Sequence, residues 1–317
     1  MKSKKLIAVT AMSFALTLAP LTAFAAADDP EANLIMAEAA VSDTSIQTEA
    51  SRSYSNLGPI NLGAMGSDLG DAPTTCKWGG MSAYGAGIIA NFPTIFGNPA
   101  CPNGILHHKP MYWLGLNSSH ESDSDTDPGS DGRSNIDMPA NQPNRDGFDD
   151  GVLNPATQLS LALPECGTTT FRYMVTRTAG KKATLRFNAW FDLTRDGDWA
   201  DSIKCKLPSG ATQTVSERAV TNQAVVLPAC PTGTCTTIIT TPAFKTANLM
   251  TNANAKEIWM RASLTDIPVV AANKDGSGPL TGYNFGETED YHLVATAFDG
   301  KTWTFVNSLG EEGEPQH

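Results

Sequence analysis

Residues 187–201, FNAWFDLTRDGDWAD, change character halfway along. In the first half Phe187, Ala189 and Phe191 fall on one face, while Arg186, Asn188, Trp190 and Asp192 fall on the other. A period of two marks a half-buried β-strand. The second half gathers Asp192, Thr194, Asp196, Asp198 and Asp201 around Gly197. Carboxylates packed this densely repel one another unless water, salt or a cation screens them. A hard, oxygen-seeking cation, Ca²⁺ above all, meets that need. The stretch therefore predicts a β module carrying a metal-braced loop.

The loop opens like a calcium loop of the Asp-x-Asp-x-Asp-Gly type, in which alternate residues aim oxygens at one point and glycine allows the sharp turn. Thr194 stands where Asp or Asn is usual, and the twelfth position is Ile203 rather than Glu. A complete one-loop site is therefore not expected, and further ligands must come from elsewhere in the chain. Gly286-Glu287-Thr288-Glu289-Asp290-Tyr291 is the first place to look. It reads as the mouth of a strand, where adjacent acids are costly unless neutralised. In extended chain Glu287 and Glu289 would share a face while Asp290 points the other way.

Around this centre, the strand candidates are Met111–Leu114, Leu159–Leu163, Phe171–Thr178, Ala183–Leu193, Gln223–Leu227, Thr236–Thr241, Glu257–Thr265, Tyr291–Phe298 and Thr302–Val306. Short strands separated by Gly, Pro, Asn and Asp turns, with no βαβ alternation, predict an all-β antiparallel sandwich, jelly-roll or Ig-like. Its loops are long: Gly- and Pro-rich from residue 68 to 114, and acidic from Glu121 to Asp150, where Asp-Gly pairs favour ordered turns over solvated coil.

Residues 1–25 have the layout of a secretory signal: Lys2, Lys4 and Lys5, an apolar run from Leu6, then Ala23-Phe24-Ala25. The rival reading is an uncleaved anchor, which the small residues and the lack of a basic flank disfavour. Residues 26–67 read as a flexible leader, 68–300 as the β-sandwich domain, and 301–317 as a terminal strand and acidic tail. No later segment is apolar enough to span a membrane. The net charge of −11 becomes more negative when the signal lysines are removed. That excludes nucleic acid and anionic lipid as natural partners, since both need basic patches. Six cysteines in an exported chain indicate disulfides. Of the 15 pairings that six cysteines allow, the expected one joins neighbours: Cys76–Cys101, Cys166–Cys205 and Cys230–Cys235. Zinc is disfavoured by the absence of a CxxC pair.

The sequence resembles the GEVED-domain family in several strings that occur in order. GETEDY at 286–291 is similar to its Gly-Glu-Val-Glu-Asp-Tyr signature, with Thr288 in place of Val. DLGDAP at Asp68–Pro73 is similar to its opening Asp-x-Gly-Asp-Ala-Pro, and His107 or His108 with Trp113-Leu114-Gly115 to its His and Leu-Gly segment. Asp146–Val152 resembles its Asp-Gly-x-Asp-Asp-Gly-Val run. AWFDLTRDGDWAD resembles its Trp-Ile-Asp-Phe-Asn-Gly-Asp-Gly-Asp-Trp strand and loop, with Thr194-Arg195 replacing Asn-Gly. The resemblance implies an extracellular bacterial β-sandwich module of surface and adhesin-like proteins, with no catalytic activity of its own.

The expectation is thus a secreted, non-enzymatic binding or structural module with structural Ca²⁺, acting in adhesion or surface contact with a protein or glycan. The candidate ligands are Asp192, Asp196, Asp198 and Glu287, then Asp71, Asp149, Asp150 and Asp290, with Thr194 and Asp201 completing the loop. A carbohydrate-binding module using Trp78, Tyr84, Trp113 and Trp199 is one rival, though packing accounts for those aromatics more simply. A hydrolase using Glu287 and Asp150 is the other. His107, His108 and His120 lack the helical spacing of a catalytic zinc site.

Overall fold

The computed structural model describes residues 69–70, 72–76, 82–84, 87–109, 111–116, 118, 149–249 and 257–308. The signal and leader, Asp71, Trp78, His120, the acidic loop up to residue 148 and the tail from 309 lie outside the described residues. Strands are numbered in chain order. The larger sheet runs β11 (Arg218–Leu227), β8 (Ala183–Phe191), β14 (Glu257–Thr265), β15 (Tyr283–Phe298), β16 (Thr302–Asn307), β5 (Leu161–Pro164), and β3 (His107–Lys109) joins the start of β15 in parallel. A second sheet runs β12 (Cys230–Thr240), β7 (Arg172–Gly180), β4 (Tyr112–Leu114). Three two-stranded pieces complete the framework: β1 (Ser82–Tyr84) with β2 (Ile88–Ile89), β9 (Ser202–Lys206) with β10 (Thr212–Ser216), and β6 (Thr168–Thr169) with β13 (Phe244–Lys245). Apart from β3 with β15, all these pairs are antiparallel. The described residues form an all-β sandwich.

Alternation explains the main core. Leu185, Phe187, Ala189 and Phe191 of β8 point inward with Met260, Ala262 and Leu264 of β14, against Tyr173 and Val175 of β7. Tyr173 stacks on Phe187 with ring centroids 3.8 Å apart, and Phe171 meets Phe187, Phe191 and Phe244 edge-on. The three disulfides join Cys76–Cys101, Cys166–Cys205 and Cys230–Cys235, the neighbour pairing.

Three sequence expectations need correction. The strand at 187–191 is buried on both faces rather than one. Its outward row, with Trp190, lies under a second apolar cluster made by Ala72, Ala83, Tyr84, Ala90, Phe92 and Ile105 together with Trp199, Trp259, Val269 and Tyr283. A Gly- and Pro-rich segment has no periodicity to announce that it covers a sheet. Second, GETEDY is not ahead of a strand but inside β15, which begins at Tyr283. Third, the hairpin β9–β10 was not expected, because its lysines and threonines mask the few inward positions, Ile203, Cys205 and Val215.

One ion pair fastens the covering segments to the sheet. Arg261 and Asp290 are cross-strand neighbours, both fully buried or nearly so, on the face away from the main core. The guanidinium donates to both Asp290 oxygens, Nε to Oδ1 at 2.7 Å and Nη2 to Oδ2 at 2.6 Å. Nη1 reaches the carbonyls of Pro93 and Gly276, and the ring of Trp199 lies 4.6 Å from Cζ. Asp290 also accepts from the amide of Ala72. Removing one partner of a buried pair costs about 3–5 kcal/mol. Arg261→Met should lower the unfolding free energy by about that amount, and the loss is measured by denaturant titration with disulfides intact.

Candidate metal centre

The loop after β8 folds round Asp192. Asp192 is fully buried, and its Oδ2 accepts from the Tyr84 hydroxyl and from the Gly197 amide, both at 2.9 Å. Its Oδ1 accepts from the Asp196 amide at 3.2 Å and from Thr194 Oγ1 at 3.4 Å. Gly197 has φ +94° and presses against the Ile89 carbonyl, so no side chain fits there. Arg195 also has a positive φ of 56°, at the position where the resemblance has glycine. Its guanidinium compensates by stacking 4.6 Å from the Tyr84 ring centre, while Nε donates to the Glu257 carbonyl at 2.6 Å.

Glu217, between β10 and β11, closes the loop from the other side and was missed by the sequence reading. It is fully buried. Its Oε1 accepts from the Thr194 amide (3.0 Å) and hydroxyl (2.8 Å), and its Oε2 from the Asp201 amide (3.0 Å). Thr194 therefore spends its hydroxyl on the surrounding acids. Nothing in the string Val215-Ser216-Glu217-Arg218 signals a ligand. Only the crossing of the hairpin beneath the loop brings Glu217 to Asp192.

Two overlapping carboxylate groups result: Asp192, Asp196 and Glu217, and Asp196, Asp198 and Asp201, each with oxygens within 4.8 Å of one another. Ca²⁺–oxygen distances of about 2.3–2.6 Å place opposed ligands of one ion about this far apart, so the donor set fits Ca²⁺. The ion pairs among the described residues, Arg261–Asp290 and His292–Glu257, involve none of these acids. Burial pushes Asp192 up to about 7 and Glu217 up to about 8 against the hydrogen bonds that favour their charged forms. Asp198 is also raised by burial, and Asp201 by its hydrogen bond with Asp196.

The other predicted ligands stand elsewhere. Glu287 accepts from the Leu114 amide, and Glu289 from the Gly151 amide at 2.9 Å and the Tyr291 hydroxyl at 2.6 Å. Asp149 and Asp150 are buried on the same side: Asp149 with Glu289 pushes the Tyr291 hydroxyl up, after burial, and Asp150 accepts from the Leu116 amide. Asp290 faces Arg261, away from Glu287 and Glu289, as alternation predicts. The ladder of β14 with β15 has no bulge here, so Asp290 does not share a face with Glu287 and Glu289. None of them belongs to either carboxylate group of the loop.

Thr288, at the Val position of the signature, is buried and its hydroxyl joins His107 Nε2 at 2.9 Å to Ser263 Oγ at 2.8 Å. Burial lowers His107 to about 3. His108 Nε2 meets the Thr281 carbonyl. The aromatics considered for sugar binding, Tyr84, Trp113 and Trp199, are buried.

Residues 186–294 match the family model of the GEVED domain, the family whose marks the sequence carries. No curated protein matches the chain. The match runs from β8 to β15, whereas the sandwich continues into β16, β5, β7 and β4.

Two outcomes follow. Groups raised in the folded state lose stability as pH climbs from the unfolded value to the folded one. Calcium-free protein should therefore lose stability from the ordinary carboxylate range up to about pH 8, where Asp192 and Glu217 are ionised in the unfolded chain but still protonated in the folded one. The part of this window above pH 6.5 is free of His107, which destabilises only as pH falls below 6.5. Glu217→Gln should flatten that slope in melts taken in EDTA. Thr288→Val, which strips the hydroxyl from two buried polar partners, should cost about 1–3 kcal/mol by denaturant titration.

Proposed function

We propose that this GEVED-domain chain is a secreted, non-enzymatic binding module whose loop 192–201 and Glu217 hold a structural Ca²⁺. The observation that carries the reading is the placement of Asp192 and Glu217, two buried carboxylates brought together with Asp196. Held together without a cation they pay for desolvation and mutual repulsion. A divalent ion reverses both terms, because it binds only the ionised forms. Asp192, Asp196 and Glu217 are its ligands, with Asp198 and Asp201 on the outer side. Thr194 and Gly197 orient the carboxylates through hydroxyl and amide. Bound Ca²⁺ supplies positive charge that fixes the loop.

Three disulfides and the acidic composition suit a protein outside the cell, where calcium is abundant. The buried state of Glu287 and Asp150, each engaged with backbone amides, favours a structural role for them over glycoside hydrolysis. The burial of Tyr84, Trp113 and Trp199 favours adhesion through other surfaces over a carbohydrate-binding aromatic platform.

The test is thermal unfolding in excess calcium and in EDTA. At about a hundred times the dissociation constant, calcium should add roughly 2.7 kcal/mol. That gain should vanish in Asp196→Ala and Glu217→Gln and persist in Glu287→Gln. Coincident melts of the unaltered protein in the two media would sink the reading.

A further inference from the structure

β12 is the outer strand of its sheet, and no strand among the described residues pairs with its far side. The ladder shows which of its backbone groups face that side. On β7 the even-numbered residues bond towards β4: the amides of Met174 and Thr178 donate to the carbonyls of Gly151 and Met111, and the Met174 carbonyl accepts from the Gly115 amide. The odd-numbered residues of β7 therefore bond β12, where Tyr173, Val175 and Arg177 stand opposite Ile239, Thr237 and Cys235. Thr234, Thr236, Ile238 and Thr240 turn their N–H and C=O groups outward. The Thr240 carbonyl bears this out, since it accepts from Gln223 Nε2 at 2.9 Å.

Outer strands are ordinarily blunted by brevity, charge, proline or a bulge. The other outer strands of the two sheets are protected in these ways. β4 has three residues, β5 has four and ends in Pro164 before Glu165, and β11 is broken by two register shifts. β12 has a shift between Cys230 and Thr234, beside Pro231, but its ladder from Thr234 to Thr240 is regular. That stretch, TCTTIIT, holds neither charge nor proline, and its threonines and isoleucines favour extended chain. The whole run from Ala219 to Phe244 lacks a charged residue, in a chain of net charge −11.

We propose that Thr234–Thr240 of β12 is a self-association edge, which pairs antiparallel with the same strand of a second copy across a two-fold axis. Under that symmetry a strand is its own complement. With Thr236 on the axis, Thr234 of each copy faces Ile238 of the other, and the outward amides and carbonyls of all three residues exchange hydrogen bonds. Charge selects the occupant. Two acidic chains repel over most of their surface, and an uncharged edge offers nothing to a basic or acidic partner, but it matches a second uncharged edge. The contact uses none of the acids of the calcium loop, so it stands or falls separately from metal binding.

The experiment is sedimentation velocity of the disulfide-intact chain from micromolar to millimolar concentration. The unaltered protein should pass from monomer to dimer. Ile238 is 46% exposed, so its replacement spares the core. Ile238→Lys sets an ammonium opposite Thr234 with no acid to pair it, yet lowers the net negative charge, so loss of the dimer cannot come from general repulsion. Ile238→Pro deletes an outward amide without touching the ladder to β7. Both should stay monomeric throughout. Leu280→Lys, the same change at a residue 78% exposed outside this edge, should dimerise as the unaltered protein does. A monomer at every concentration for the unaltered chain would overturn the proposal and leave the edge to an extended segment of another protein. So would a dimer that survives both Ile238 substitutions, or one that Leu280→Lys abolishes. Should Ile238→Pro fail to fold, Ile238→Lys decides.

Discussion

The buried pair of Arg261 and Asp290 is the constraint on which the outer half of the molecule depends. A sheet that is apolar on one face is ordinarily wetted on the other, yet here both faces are covered along Phe187–Phe191 of β8, most of β14 and Gly286–Tyr291 of β15. The cover is a Gly- and Pro-rich segment with little regular structure of its own, so its backbone groups need partners from the sheet. Arg261 supplies them at Pro93 and Gly276, and Asp290 at Ala72. Each charge is kept tolerable by the other, and their shared hydrogen bonds determine where the cover sits. Trp199, stacked on the same guanidinium, carries this arrangement to the loop at 192–201.

That loop combines the opposite ingredients. Asp192 and Glu217 are buried as deeply as the ion pair, but with amides and hydroxyls in place of a cation. Tyr84 ties the two systems together, since its hydroxyl donates to Asp192 and accepts from the amide of Trp259, while its ring supports Arg195. Arg195 pays for its left-handed backbone with that stacking and its bond to the Glu257 carbonyl. A change of charge at Asp192 is therefore felt by the covering segment and by the start of β14.

Much of the fold was legible in the sequence. Alternation at 187–191 set the inward row, and the same rule separated Asp290 from Glu287 and Glu289 once the segment is extended. Turn-forming residues marked where the strands end to within a few positions, but β11, β12 and β15 begin well before the expected Gln223, Thr236 and Tyr291. The hairpin β9–β10 was not legible, because three apolar positions among lysines and threonines make too weak a period. The covering segment was not legible either, since its contribution lies in which side chains it buries rather than in a pattern along the chain.

Of the candidate site, the sequence by itself determined the loop: the spacing of Asp196, Asp198 and Asp201 next to Gly197 brings their carboxylates together, with Asp192 in reach of Asp196. Tertiary structure alone decided the rest. It brought in Glu217 from the far end of a hairpin and kept Glu287 away. It also made Thr288 a bridge between His107 and Ser263, and placed Arg218 outside the ion pairs of the described residues. The physical reason is common to all four. Local spacing controls which groups of one loop can meet, whereas strand order and register control which distant groups share a face, and those are settled only when the sheets pack.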